Sequence, residues 1–220
     1  MGLRVDSLEE IYPIADFIAD AFGGLAEIVV HDVVDLESSI VYIRNGHLSG
    51  RKIGDGTTDA ALRLIESGLH GSRDYLSSYT GKALGGRTFR SSTYFVRDRS
   101  ETLVGLLCVN IDVSGLGAAL DALQSLVSNE TAARPSEQLG SFEENLQGDP
   151  SETIRRITRS ALSDLSVSPD RMTRQQRLDV IERIKGEGVF LMKGAVNIVA
   201  PELSVSVPTL YRYLQEVKER

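Results

Sequence analysis

The sequence lacks the features that define several classes of protein. Cys108 is the single cysteine among 220 residues, so no disulfide can form within the chain. No apolar run approaches the roughly 18 residues that a membrane helix needs. The N-terminal residues carry early acids and no continuous apolar core, unlike a secretory signal. We therefore expect a cytoplasmic chain with no membrane partner.

Motifs of common enzyme active sites are also missing. The sequence contains no G-x-S-x-G, H-E-x-x-H or phosphate-loop pattern. The three histidines, His31, His47 and His70, lack the local spacing of metal ligands. His31 and Cys108 lie on β-like runs without a distinctive surrounding motif, which disfavours haem but leaves flavin open. The expectation is a protein that is not an enzyme and that has no metal and no cofactor.

Charge is distributed unevenly along the chain. The net charge is −7, which for the whole chain argues against nucleic-acid binding. Residues 1–150 carry 12 basic and 22 acidic residues, whereas residues 151–220 carry 12 basic and 9 acidic residues. The acidic excess therefore belongs to the first part and a small basic excess to the second. This asymmetry predicts two modules with different partners.

The first 113 residues alternate between helical and β-like patterns. A capping box from Ser7 to Glu10 opens a helix whose apolar residues follow at helical spacing. Four β-like runs and one short helix follow, at Glu27–Val33, Ser39–Arg44, Asp59–Ser67 (the helix), Thr88–Arg97 and Thr102–Val113. Hairpins dominate the connections, so this part is predicted to be an α+β domain with an antiparallel sheet.

Residues after the sheet are predicted to be helical, apart from one polar linker. Leu116, Leu120 and Leu123 lie along a helix that ends near residue 127. Residues 128–150 are polar and read as a linker. Residues 151–220 are predicted to form a helical domain.

The last thirty residues match a helix-turn-helix. A helix at Met192–Leu203, a turn at Ser204–Ser206 and a helix at Val207–Val217 follow each other, and Ala200 supplies the small residue where two helices cross. Thr, Arg and Gln side chains on the final helix can contact base edges or phosphates. The candidate DNA-binding residues are Ser206, Pro208, Thr209, Tyr211, Arg212, Gln215 and Lys193.

Two residues depart from the usual helix-turn-helix pattern. Ser204 stands where the turn prefers glycine, and Pro201 lies late in the second helix. A proline in a regular helix interior costs about 3 kcal/mol. We expect the helix to kink or to end early at this point. Arginines of the helical region, such as Arg155 and Arg174, are either solvated or add phosphate contacts.

The order of short motifs resembles one known family. The motifs are Val29–Asp32, Ser39–Val41, Asn45–Arg51, Thr57–Asp59, Leu107–Asp112, Gly188–Val196 and Val207–Leu214. Together these motifs are spread over most of residues 8–113 and 173–217. The chain resembles bacterial transcriptional regulators with an N-terminal YheO-like PAS domain and a C-terminal helix-turn-helix.

The resemblance implies a domain plan and a function. It implies a PAS-like sensor domain at residues 1–127, a polar linker at 128–150 and a helical DNA-binding domain at 151–220. The expected protein is a ligand-responsive regulator that binds double-stranded operator DNA. A homodimer is expected, because such proteins commonly bind two half-sites, and the helix near residues 115–128 would join the two chains.

Polar residues around the presumed PAS cavity are the candidate sensor site. Asn110 and Asp112 alternate along an apolar strand and so share one face. Buried polar groups need partners, which a ligand can supply. The candidate ligand-binding residues are His31, Arg51, Thr58, Asp59, Ser91, Tyr94, Asn110 and Asp112. The expected ligand is a small polar metabolite, amino-acid-like in character.

Other interpretations remain open at the level of sequence. His31 can be a residue of the fold, and Arg51 can pair with Asp55 or Asp59 in a structural turn. The tail can belong to a sensory or interaction module that no longer binds DNA specifically, which the proline at 201 would explain. A small-molecule enzyme built on a PAS-like cavity is the third interpretation.

Overall fold

The computed structural model describes residues 3–83, 86–127, 143–145, 149–163, 165 and 167–218. It confirms the α+β class, with a sheet and its helices first and a helical region after it. Most of the predicted linker at 128–150 lies outside the described residues.

The chain enters the sheet domain through a capped helix. Residues Leu8–Ile11 form a 3-10 turn, and α1 follows at Tyr12–Phe22. The Ser7 backbone N–H donates to a Glu10 carboxylate oxygen at 3.1 Å, which is one half of the predicted capping box. Pro13 falls in the first turn of α1, where a missing N–H costs no helical hydrogen bond.

The sheet contains seven strands within the described residues. Their bounds are β1 Arg4–Val5, β2 Ala26–Asp32, β3 Ile40–Arg44, β4 Tyr75–Lys82, β5 Thr88–Asp98, β6 Leu103–Asp112 and β7 Glu143–Asn145. The order is β3-β2-β6-β5-β4-β7, with β1 pairing to β5. Strands β2 to β6 pair antiparallel, whereas β1 and β7 each pair parallel with their neighbour. The hairpin of β5 and β6 lies at the centre of the sheet.

Two layers of apolar side chains cover the sheet. Helix α1 packs on one face against β2, with Ala15, Ile28 and Val96 in that core. Helix α2, Asp59–Glu66, covers the opposite face together with Val29, Phe95 and other buried residues. Because side chains alternate along a strand, neighbouring residues of the central strands face opposite layers.

Helices form the rest of the described chain. They are α3 Ser114–Val127, α4 Pro150–Ser163, α5 Arg174–Gly186, α6 Ala195–Glu202 and α7 Val207–Lys218. The last four bury a common apolar core that includes Leu178, Ile181 and Leu210. Helix α6 begins later than predicted, because Gly194 has a left-handed backbone with φ of 71°. No helix in the described part of the chain is long and apolar enough to cross a membrane.

Candidate sensor site and candidate DNA-binding surface

A cluster of polar side chains is buried on the α2 side of the sheet. Glu27 and His31 lie on β2, Ser91 on β5 and Asn110 on β6, all at positions that face the α2 layer. The Glu27 and Asn110 backbones are direct partners in the β2–β6 ladder. None of these side chains is more than 2% exposed. We call this group, with Ser49, Arg51, Thr57 and Thr58, the polar cluster.

Glu27 is held by hydrogen bonds from two elements. One carboxylate oxygen accepts the Asn110 amide at 3.0 Å, and the other accepts the Ser49 hydroxyl. Burial raises the pKa of Glu27, and the hydrogen bond from Ser49 and the charge of Arg51 offset part of that rise. A carboxyl group in this position is therefore easier to protonate than one in water.

Arg51 brings a buried positive charge beside this carboxyl group. Its side chain donates to the Gly56 carbonyl at 3.0 Å, and the residue is 6% exposed. Burial, and secondly the charge of Arg51, lowers the pKa of His31 well below its usual value, so the imidazole is neutral near pH 7. The His31 Nδ1 atom lies 2.8 Å from the Ser39 hydroxyl.

Four polar atoms of the cluster lack a hydrogen-bond partner among the described residues. They are Arg51 Nε, Thr57 Oγ1, Ser91 Oγ and Asn110 Oδ1. An unsatisfied buried polar group typically costs about 1–3 kcal/mol. A concentration of donors and acceptors of this kind is suited to a polar molecule that supplies the missing partners.

The structure brings together six of the eight residues predicted to bind a ligand: His31, Arg51, Thr58, Asp59, Ser91 and Asn110. Thr58 is the N-cap of α2 and its hydroxyl accepts the Ala61 N–H at 3.2 Å. Asp59 is 6% exposed, and its carboxylate contacts Arg156 of α4 at 3.0 Å. Asp59 therefore lies between the cluster and the helical region.

Tyr94 and Asp112 lie elsewhere, which corrects their grouping with the other six. Tyr94 faces the α1 side of the sheet, because it alternates with Ser91 and Thr93, and its hydroxyl accepts the Leu3 N–H at 2.7 Å. Asp112 ends β6, where its carboxylate accepts the Ser114 N–H at 2.9 Å and the Arg87 guanidinium at 3.2 Å.

Sequence reasoning missed Glu27, Ser49 and Thr57. Glu27 had a usable signal, because it alternates with Val29 and His31 in an otherwise apolar strand. Ser49 and Thr57 lie outside the sheet, and the hydrogen bond of Ser49 to Glu27 joins residues 22 apart in the sequence, so no local pattern reveals it.

The helix-turn-helix is formed by α6, a tight turn and α7. The Val205 N–H donates to the Ala200 carbonyl and the Ser204 N–H to the Pro201 carbonyl, both at 3.0 Å. These two bonds form a Schellman motif, and Ser204 occupies its left-handed position with φ of 53°. Glycine is the preferred residue there because it lacks a Cβ.

Of the two outcomes expected at Pro201, a kink or an early end of the helix, the early end does not occur. The helix continues to Glu202, and the Leu203 N–H still donates to the Val199 carbonyl at 3.0 Å. The bond that Pro201 cannot donate would go to the carbonyl of Asn197, an exposed residue that water can reach.

Helix α7 has one buried and one exposed face. Leu210, Tyr213 and Val217 face the core, as the spacing of an amphipathic helix predicts. The candidate DNA-binding residues Ser206, Pro208, Tyr211, Arg212 and Gln215 are exposed, and Thr209 is half-buried. Ser206 caps the helix by accepting the Thr209 N–H at 3.3 Å. The predicted contact residues on α7 thus share an accessible surface.

Lys193 lies apart from the α7 surface. It precedes the N-cap of α6 and lines a cleft of about 430 Å³ together with Val34, Glu101 and other residues of the sheet domain. Lys193 is exposed, and apart from Leu191 the other residues that line this cleft belong to the sheet domain.

Several arginines of the helical region are engaged within the protein. Arg159 pairs with Glu202 at 3.0 Å, and Arg174 pairs with Glu216 at 2.6 Å. Arg212, by contrast, has no carboxylate partner among the described residues and lies 5.7 Å from the ring centre of Tyr213. Arg212 is therefore the basic side chain of α7 best placed to meet a phosphate or a base.

Two family models match the chain, one over the sheet domain and one over the C-terminal helices. The model of the YheO-like PAS domain matches residues 4–128, and the model of an HTH domain matches residues 153–215. The chain belongs to the YheO-like PAS family. It is a transcriptional regulator with a PAS-like sensory domain and a helix-turn-helix DNA-binding domain, and it is not an enzyme.

Relatives extend over nearly the whole chain. The protein YheO of Escherichia coli strain K12 is 30% identical over 97% of this chain and 85% of its own length. The transcriptional regulator DauR of Pseudomonas aeruginosa is 30% identical over 97% of this chain and 95% of its own length. Among solved structures, the phage VqmA–DPO complex shares 14% identity with a TM-score of 0.36 and covers 96% of this chain and 90% of that one.

Proposed function

We propose that this regulator binds a small polar metabolite in the polar cluster and thereby controls its binding to operator DNA. The observation that carries the proposal is the set of four buried polar atoms without partners, on Arg51, Thr57, Ser91 and Asn110. A ligand that formed hydrogen bonds with these atoms would remove the free-energy cost of leaving them unpaired.

The chemistry of the cluster favours an amino-acid-like ligand. The Arg51 Nε–H is a free charged donor, which suits a carboxylate. The Asn110 Oδ1 and the Glu27 carboxyl group are acceptors, which suit an ammonium group. Opposite charges on a small ligand would match both ends of this arrangement.

Double-stranded operator DNA is the proposed partner of the α7 surface. A recognition helix contacts base edges with residues near its N-terminus, where Ser206, Pro208 and Thr209 lie. Arg212 and Gln215 follow on the same exposed side and can hydrogen-bond guanine, adenine or phosphates. The intact Schellman turn at Ser204 supports this function over that of a module without specific DNA binding. We propose the cytoplasm as the location of the protein, because operator DNA of a bacterium lies there.

A homodimer is the proposed assembly, joined through α3. This helix carries three leucines on one stripe, Leu116, Leu120 and Leu123, each more than half exposed. A single 14-residue helix without tertiary packing is marginally stable in water. A second copy of α3 would cover the stripe in a self-complementary way. The helix-turn-helix of each chain would then contact one of the two half-sites of an operator.

DNA binding is tested by gel-shift titration with fragments from upstream of the regulator's own gene. We expect Arg212→Ala to weaken binding by roughly 1–3 kcal/mol, or about 5- to 150-fold. Arg73→Ala is the matched control, because Arg73 is an exposed arginine of the sheet domain. Equal affinity of the Arg212→Ala variant and the parent would contradict the assignment of α7.

Ligand binding is tested by native mass spectrometry of gently purified protein. We expect the parent to retain a small molecule and Ser91→Ala with Asn110→Ala to lose it, while Asp112→Asn, outside the cluster, keeps it. The same spectra report whether the chain is dimeric. A parent that retains no small molecule, or a double variant that retains it as well as the parent does, would contradict the assignment of the cluster.

A further inference from the structure

Helix α2 belongs to two hydrophobic cores at once. Ala61 and Leu64 pack into the sensor core beside Val29 and Phe95. Leu62, which is fully buried, packs instead into the core of the C-terminal helices. A helix that fills both cores cannot move relative to one of them without disturbing its packing.

Two ion pairs flank Leu62 and join α2 to the helical region. Asp59 Oδ2 lies 3.0 Å from Arg156 Nη1 on α4. Arg63 Nη1 lies 3.1 Å from Glu187, which follows α5. The Asp59 side chain is 8% exposed. Removal of Arg156 would therefore cost more free energy than removal of a partner from an ion pair at the surface.

Backbones also approach closely at this contact. Gly188 has φ of 75°, and a Cβ built on it would lie 2.7 Å from the Leu62 carbonyl oxygen. Both the conformation and the space require glycine. The backbones of α2 and the helical region therefore approach closely at Leu62, between the two ion pairs.

The residues that lead into α2 are at the same time part of the polar cluster. Arg51 donates to the Gly56 carbonyl, Thr57 has a buried hydroxyl without a partner, and Thr58 caps the helix. Asp59, the next residue, carries the ion pair to α4. Only Thr57 and Thr58 therefore separate Gly56, whose carbonyl accepts from Arg51, from Asp59, which pairs with Arg156 of the helical region.

We propose that α2 positions the DNA-binding domain in response to the polar cluster, with Asp59 and Arg156 as the positioning pair. A ligand that draws Arg51 or Thr57 to itself shifts the first turn of α2, and the shift reaches α4 and Gly188 through Asp59 and Leu62. A single rigid element biased from both ends is a physical route for coupling. This inference deepens the proposed function, on which its signalling role rests.

The positioning role is tested by the distance between spin labels at Ser100→Cys and Glu182→Cys in the full chain. Both positions are exposed, and the native Cys108 is buried and does not compete for label. We expect one narrow distance in the parent and a broad distribution in Arg156→Asp and in Glu187→Arg. The charge exchanges Asp59→Arg with Arg156→Asp, and Arg63→Glu with Glu187→Arg, should narrow it again.

Two exchanges are used because the first places a new charge beside the cluster, whereas the second lies at the other end of α2. Narrow distributions in both single variants would overturn the positioning role. The positioning role would also be overturned if the label distances stay broadly distributed in both double variants while circular dichroism shows that these variants keep the helix content of the parent.

The link to the cluster is tested with Arg51→Gln against Lys52→Gln, an exposed neighbour. We expect the first to shift or broaden the label distance and the second to leave it unchanged. An unchanged distance in Arg51→Gln would overturn the link. These readouts need no DNA, so a parent that fails to bind DNA would refute the proposed function and leave the positioning result standing.

Discussion

Replacing Ser204 by glycine should stabilise the protein, although Ser204 lies in the helix-turn-helix. Ser204 is held at φ of 53° by the two turn bonds from its own N–H and from that of Val205. A left-handed backbone costs a non-glycine residue about 1–2 kcal/mol. Glycine gives back roughly 0.5–1 kcal/mol because it loses more freedom on folding. The net gain expected for Ser204→Gly is about 0.5–1 kcal/mol.

Thermal unfolding followed by circular dichroism measures this gain. A difference of 1 kcal/mol shifts Tm by about 2–4 °C in a protein of this size, so we expect a rise of about 1–4 °C. Ser160→Gly is the matched control, because Ser160 is an exposed residue inside α4. That variant should lose about 0.5 kcal/mol. If Ser204→Gly also lowers Tm, the left-handed strain assigned to Ser204 is refuted.

Three further outcomes follow from burial and charge. Burial lowers the pKa of His31 below the 6.5 of an exposed histidine, so the unfolded chain binds the proton first as pH falls. The free energy of unfolding should therefore decrease below about pH 6.5, by up to about 1.4 kcal/mol per pH unit. Urea unfolding of the parent should show this slope, and His31→Asn should reduce it. Leu178→Ala should cost about 2–5 kcal/mol in the same unfolding assay, because Leu178 is fully buried in the C-terminal core, and a smaller loss would contradict that placement. Leu120→Ser with Leu123→Ser should convert a dimer to a monomer in sedimentation analysis with unchanged helix content in the rest of the chain, and a persistent dimer would argue against α3 as the interface.

The spacing of apolar residues predicted most of the helices and strands, and it failed where the side chains of a strand are mostly exposed. Strand β4 was not predicted, because Tyr75–Lys82 is polar and mostly exposed, so it carries little apolar alternation. The centre of the sheet and α2 have strong apolar patterns and were found within a residue or two of their ends.

The candidate sites show a similar limit. Alternation correctly places Asn110 among the buried residues, and the same alternation, applied to β5, puts Tyr94 on the other face from Ser91. The partner of Asp59 is 97 residues away in the sequence, so no local pattern can reveal the Asp59–Arg156 pair. Contacts of this range are decided by how the two domains pack.

DNase I footprinting on the upstream region of the regulator's own gene tests the central claim most directly. Because a dimer presents two α7 helices, the parent should protect two half-sites about one helical turn apart, and Arg212→Ala should lose that protection at the same protein concentration. Absence of a protected site with the parent, or equal protection by the Arg212→Ala variant, would contradict the assignment of this chain as a regulator that binds an operator through α7.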